Sequence, residues 1–154
     1  MYYFCTYLDQ HYLTRGLALY DSLRNHCPAF RLWILCMDHT AHEILAKLNL
    51  PEVHSISLED FEKNDESLLR AKQTRSRIEY YFTCTPSLPL YIFNHCDDVN
   101  LITYLDADLF FFADPAPLFD ELQSNSIAII EHRFPDRIRE LEKYGIYNVG
   151  WLSF

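Results

Sequence analysis

Two aspartates separated by one residue, Asp106 and Asp108, close the apolar run Leu101-Ile102-Thr103-Tyr104-Leu105. Carboxylates in the middle of a buried strand are costly to desolvate unless paired or metal-bound. Where a strand leaves its sheet they can face a crevice instead. Side chains at i and i+2 of an extended segment point the same way, so the pair is expected to converge on one cation or one sugar-phosphate. Two hard oxygen donors suit Mn2+ or Mg2+, ions that keep positions for phosphate oxygens and water. The competing reading is a pair of turn-forming aspartates with no ligand.

The elements around this pair read as alternating strands and helices. Tyr2 to Leu8 is an aromatic, apolar strand ending at Asp9, and Leu13, Leu17, Tyr20 and Leu23 follow at helical spacing until Pro28. Leu32 to Met37 predicts a second strand, ending at Asp38. Thr40 and Glu43 predict a capping box for a helix carrying Ile44, Leu45 and Leu48, and Val53 to Leu58 a weaker third strand. Such a rhythm implies a mostly parallel sheet with helices on both faces, an α/β, Rossmann-like architecture in one domain over 1–154. Ligands of such sheets lie outside the carboxyl ends of the strands, where Asp9, Asp38, Asp106 and Asp108 all fall. Asp38, directly before a helix, reads as a turn or cap.

Further along, Glu59 to Lys72 reads as a charged loop-helix segment. Arg70, Lys72, Arg75 and Arg77 crowd into eight residues. Thr85-Pro86 predicts an N-cap followed by proline at the first helical position. Pro115 and Pro117 open a short helix through Leu118, Phe119 and Leu122, and Ile127 to Ile130 predicts a buried strand with Glu131 and His132 at its carboxyl end. A charged helical stretch from Asp136 to Lys143 leads to Tyr147-Asn148-Val149-Gly150. Trp151 to Phe154 reads as a strand just beginning, an uncovered edge that invites self-association through the C-terminal end.

Bulk properties remove several function classes. With 49% hydrophobic and 16% aromatic residues the chain is not a disordered segment. Three glycines leave no phosphate-cradling glycine-rich loop. A net charge of −9 argues against a nucleic-acid partner, but admits a nucleoside diphosphate if a metal and a few arginines supply local positive charge. No run approaches the ~18 apolar residues of a membrane span, and the first residues lack a signal peptide's basic lead-in. The five cysteines are scattered without a C-x-x-C pair, which reads as reduced thiols of a cytoplasmic protein.

These pieces, in this order, resemble a glycosyltransferase of the GT-A fold. The pattern is similar to the retaining family that includes glycogenin and bacterial lipooligosaccharide galactosyltransferases, and to bacterial nucleotide-diphospho-sugar transferases. The matching stretches are Phe4 to Tyr12 with its helix, Glu79 to Pro86, Tyr104 to Asp108 with Phe-Ala-Asp-Pro behind it, and Asn148-x-Gly150. The resemblance implies a nucleotide-diphospho-sugar donor, a UDP-sugar by preference, and a glycan, lipid-linked or protein acceptor. It implies Asp108 as metal ligand, with Asp106 sharing the metal and touching the ribose. Thr6, Asp9 and Tyr12 would hold the nucleoside, and Glu131, His132 and Asn148 would lie beside the transferred sugar and acceptor. Apart from the resemblance, Arg75 and Arg77 suit charge-assisted hydrogen bonds to the diphosphate or sugar, the alternative being a solvated basic face. Family members continue for about another domain half, with a histidine as further metal ligand, so the chain reads as truncated at its C-terminus.

Two other functions use the same motif. A non-catalytic nucleotide-sugar-binding fragment would need only the binding residues. A Mg2+-dependent phosphohydrolase of the haloacid-dehalogenase type also carries D-x-D after a strand. It wants Thr or Val two residues after the second aspartate, where this chain has Phe110, and it places the motif near the start of the chain.

Overall fold

The computed structural model describes residues 1–122 and 125–154. Its strands are β1 (Tyr2–Leu8), β2 (Phe30–Cys36), β3 (Val53–Ser57), β4 (Thr103–Leu105), β5 (Ala128–Glu131) and β6 (Tyr147–Ser153). Its helices are α1 (Leu13–His26), α2 (His39–Leu48), α3 (Leu58–Glu62), α4 (Glu66–Thr74), α5 (Arg77–His95) and α6 (Ala116–Leu122), with a 3-10 segment over Asp136–Tyr144. One sheet takes the order β3-β2-β1-β4-β6-β5. The first four strands in that order are parallel, and β6 runs antiparallel to both β4 and β5. The expected mostly parallel sheet is therefore present, with one reversed strand.

The central strands are apolar throughout because both faces are covered. Phe4, Leu8, Leu32, Ile34 and Leu105 pack under α1 and α2 with Leu19, Leu23, Ala41 and Leu45. The alternate residues Cys5, Trp33, Leu35, Ile102 and Tyr104 pack on the opposite face under Phe61, Leu68, Tyr80, Leu88 and Ile92. Gly16 lets α1 lie close on β1, since a Cβ there would come within 2.3 Å of the Leu8 side chain. Among the described residues no helix is long and apolar enough to cross a membrane. All five cysteines are free thiols.

Several elements depart from the sequence expectations. The cap of α2 is Asp38, whose Oδ1 accepts the Ala41 N–H at 2.8 Å, not Thr40. The helix expected to open at Thr85-Pro86 begins much earlier. Ser76 and Glu79 form its capping box, and Pro86 and Pro89 lie inside α5. Pro86 removes the N–H that would meet the carbonyl of Phe82. Alongside that gap the hydroxyls of Thr83 and Ser87 donate to the carbonyls of Glu79 and Thr83 at 2.8 and 2.9 Å. β5 is not buried: it is the sheet edge, and Ile127, Ile129 and Ile130 are exposed.

The C-terminal strand is the reverse case. It starts at Tyr147, well before Trp151, and lies between β4 and β5 rather than at an edge. The hydroxyls of Thr103 and Ser153 bond across the β4–β6 pair at 2.8 Å, and Ile102 and Phe154 exchange backbone bonds at 3.1 and 2.9 Å. Both flanks of this strand are used within the chain, so the free edge expected for self-association at the C-terminal end is absent.

Candidate functional site

Strand order reverses direction at β1: β2 and β3 lie to one side of it, β4 to the other. The chain reaches β2 through α1, whose side chains pack on one face of the sheet. It reaches β4 through α3, α4 and α5, which pack on the other. The carboxyl ends of β1 and β4 therefore splay apart and open a crevice. A cleft of about 440 Å³ occupies it, lined by Tyr7, Asp9 and Tyr12 from the β1 end, Arg77, Tyr81 and Phe82 from α5, and Tyr104, Asp106 and Asp108 from the β4 end.

Asp106 and Asp108 both face this cleft, although the segment is not extended as the i, i+2 argument assumed. The Leu109 N–H donates to the Asp106 carbonyl at 3.1 Å, so the chain turns directly after β4. Ala107 points into the core between them and is buried, which leaves both carboxylates on the open side. Tyr104 donates its hydroxyl to Asp106 Oδ1 at 3.0 Å. Burial pushes the Asp106 carboxyl above the usual carboxylate range, the Tyr104 hydrogen bond pulls it down, and the charge of Asp108 pushes it up again. Burial, together with Tyr7 and Asp106, likewise raises the Tyr104 phenol. A half-buried carboxylate raised by desolvation and by a like charge is one whose ionised form a cation would stabilise.

The same pair borders a second cleft of about 830 Å³ between β6, β5 and α6, lined by Leu118, Ile127, Ile129, Ile130, Tyr147, Asn148 and Trp151 among others. Gly150 lines this second cleft beside Asp106. A Cβ on it would lie 3.0 Å from Asp106 Oδ2 and 3.0 Å from Asn148 Oδ1. The Asn148 side chain accepts the Gly150 N–H at 2.7 Å, and the Asp106 N–H donates to the Gly150 carbonyl at 2.9 Å. The Asn-x-Gly motif thus gives Asp106 and Asn148 room to stand side by side. A third cleft, about 730 Å³ at the ends of β2 and β3, contains neither aspartate.

The other expected site residues divide by position. Asp9 lines the first cleft, but its oxygens are already engaged: Oδ1 accepts the N–H groups of His11 and Tyr12 at 3.0 and 3.2 Å, and Oδ2 faces Arg77 Nη2 at 3.1 Å. Tyr12 is 44% exposed and lines the cleft. Arg77 reaches the cleft and crosses the Tyr81 ring 5.5 Å from its centre. Thr6 does not reach it: the side chain is fully buried and its hydroxyl has no hydrogen-bond partner among the described residues. Arg75 turns back to the Thr83 hydroxyl on α5. Glu131 and His132 sit exposed at the carboxyl end of β5, outside both cleft walls, with the His132 ring stacked on Phe134.

Sequence reasoning missed Arg15. Its guanidinium lies 4.5 Å over the Tyr12 ring, and Nη1 is 3.7 Å from Asp108 Oδ2. The three-residue spacing from Tyr12 at the start of a helix puts the two on one face, a signal available in advance. The meeting with Asp108 is tertiary and left no trace in local sequence. Asp38 fulfils its expected role as a cap, and its Oδ2 also accepts the Gln10 N–H at 2.8 Å, tying the β1–α1 turn to the end of β2.

Among the described residues no three His, Cys, Asp or Glu side chains converge as a complete metal site. The donor set of Asp106 and Asp108 fits a hard divalent cation as two of its ligands, with the remaining positions left for ligand oxygens and water.

No protein-family model matches the chain. Two proteins of Bacillus subtilis (strain 168), the uncharacterized proteins YfnD and YfnF, are 31% and 33% identical to it. The matches cover 99% and 98% of this chain but 49% of YfnD and 52% of YfnF, so the chain spans about half the length of the curated relatives it matches. Among solved structures, the galactosyltransferase LgtC, in complex with donor and acceptor sugar analogs, superposes with a TM-score of 0.69 at 18% identity. That superposition covers 99% of this chain and 57% of LgtC. Mouse xyloside xylosyltransferase 1 gives a TM-score of 0.62 at 15% identity, over 99% of this chain and 66% of its own. With its sheet order, its helices on both faces and its aspartate pair at the switch in strand order, the chain has the GT-A fold of these glycosyltransferases.

Proposed function

We propose that the chain is the donor-binding part of a metal-dependent glycosyltransferase, which holds a nucleotide-diphospho-sugar, preferentially a UDP-sugar, and passes the sugar to an acceptor. One observation carries this reading. Asp106 and Asp108 line both an aromatic cleft of about 440 Å³ and a second cleft of about 830 Å³; the reading puts the nucleoside in the first and the sugar in the second. A diphosphate spanning the two would pass directly over the pair.

Breaking the bond from the anomeric carbon to the diphosphate leaves negative charge on the departing oxygen. A divalent ion held by Asp106 and Asp108 would supply the Lewis acid for that charge. Tyr104 fixes the rotamer of Asp106 through its hydroxyl. Tyr12 offers a ring face on which a base can stack, and Arg77 brings a guanidinium into the nucleoside cleft. Asn148, beside Asp106 and lining the larger cleft, would offer its amide nitrogen to a sugar hydroxyl, its oxygen being held by the Gly150 N–H. Glu131, His132, Arg75 and Thr6 take no part in this arrangement.

Calorimetry with UDP, with and without Mn2+, tests the reading. Binding is expected to need the metal and to disappear in Asp108→Ala. Equal UDP affinity with and without metal would remove the site assignment. Donor hydrolysis or transfer, assayed alongside, separates a transferase from a binding fragment. Turnover of a generic aryl phosphate dependent on Asp106 would favour the phosphohydrolase instead.

A further inference from the structure

Arg15 contacts a proposed metal ligand yet belongs to no expected role. We infer that Arg15 is a resident stand-in for the divalent cation: it neutralises Asp108 before metal arrives, yields that carboxylate to the metal, and then turns its guanidinium to the diphosphate. The inference rests on the donor-site reading above and adds a coupling between metal and diphosphate binding.

The cleft carries three carboxylates, Asp9, Asp106 and Asp108, in a chain of net charge −9. Two guanidiniums approach them, and they are held very differently. Arg77, its side chain 72% exposed, is 3.1 Å from an Asp9 carboxylate that is almost fully buried and fixed by two backbone N–H groups. Arg15 is 3.7 Å from Asp108, beyond hydrogen-bond distance, and the two side chains are 54% and 52% exposed. Exposed pairs of this kind exchange readily. The Tyr12 ring beneath the guanidinium gives Arg15 a second anchor that does not depend on Asp108.

A divalent ion on Asp108 would bring like charges within a few ångströms of each other, so metal and Arg15 compete for that carboxylate. Once released, the guanidinium remains over Tyr12, which lines the cleft, beside the path of the diphosphate. Its planar fork pairs two phosphate oxygens at once, which a lysine ammonium does not.

The test is a Mn2+ titration of wild type and Arg15→Gln, followed by electron paramagnetic resonance of the free ion, and then a UDP titration at saturating Mn2+. Removing the competitor should tighten Mn2+ binding alone by about fivefold, while removing the phosphate partner should weaken UDP binding by about tenfold, both within the usual range of coupling between sites. Opposite shifts on one substitution are not what a structural role produces. Arg15→Lys should keep most of the competition with Mn2+ and lose most of the UDP affinity. Unchanged or weaker Mn2+ binding in Arg15→Gln, or unchanged UDP binding, overturns the inference while leaving the donor site standing. Wild type that binds neither Mn2+ nor UDP overturns both.

Discussion

The two clefts that share Asp106 and Asp108 are built in opposite ways. The cleft between β1 and β4 stands on a core packed on both faces of the sheet, and several of its polar side chains are tied down: Tyr104 to Asp106, Arg77 to Asp9, and Asp9 to the turn ahead of α1. Away from the shared aspartates, the cleft between β6, β5 and α6 is walled by exposed isoleucines, with the Asn148 side chain bonded to Gly150. Fixed charges and dipoles recognise fixed charge at little reorganisation cost. An apolar, weakly constrained wall specifies little until something covers it. The account therefore expects donor affinity to reside in the first cleft, and the second to tolerate change.

Substitutions in the two clefts should separate sharply. Asp108→Ala is expected to weaken metal-dependent UDP binding by at least about 100-fold in calorimetry, since even outer-shell partners of metal ligands are worth about 10- to 100-fold. Ile130→Ala, in the second cleft, should leave UDP affinity within about twofold. If Ile130→Ala weakens UDP as much as Asp108→Ala, the division of labour is wrong. Stability should divide in the same way. Ile102→Ala removes a fully buried side chain from the core under α5 and should cost about 2–5 kcal/mol in urea unfolding, against under about 0.5 kcal/mol for exposed Ile130→Ala.

Gly150, in the second cleft, stands against Asp106, which lines both, and gives an intermediate effect. Its Ala variant places a methyl 3.0 Å from Asp106 Oδ2. The expected result is about tenfold weaker Mn2+ binding, with a stability loss of about 1–3 kcal/mol because Gly150 is buried in β6. Unaltered Mn2+ affinity would mean that Asp106 is not a ligand.

The smallest effect lies at the start of α5, which carries Arg77 and Tyr81 into the first cleft. Ser76→Ala should cost about 1 kcal/mol through loss of the cap. Hydrogen bonds from the Ser76 hydroxyl and N–H lower the Glu79 carboxyl below its ordinary value. A lowered folded-state value means that the unfolded chain takes up protons first as pH falls. The stabilisation is present above the unfolded value and is lost as pH drops through the folded one. Glu79→Gln should therefore flatten the acid limb of the unfolding profile, measured by thermal melts across that range.

The first cleft was legible in sequence because its chemistry sits at strand ends. Each of β1, β2 and β4 is an apolar run terminated by aspartate, and parallel topology gathers those ends on one side of the sheet. Thr6 was misplaced because β1 alternates: Thr6 faces the α1 core while Tyr7 faces the cleft. Arg15 was invisible because its partner comes from a distant strand. The α5 start was misread because Thr-Pro suits a helix opening, yet Ser and Thr hydroxyls around Pro86 and a stronger capping box upstream carry the helix through it. β5 looked buried because an apolar run does not say whether anything covers it, and the order β4-β6-β5 could not be read before β6 was known to be reversed.

Manganese anomalous scattering from crystals grown with UDP and Mn2+ tests the central claim most directly. The account predicts a peak within about 2–2.5 Å of carboxylate oxygens of Asp106 and Asp108, with diphosphate density beside it and the uracil against Tyr12. A peak at other residues, or UDP seated in the first cleft with no metal on either aspartate, would contradict it.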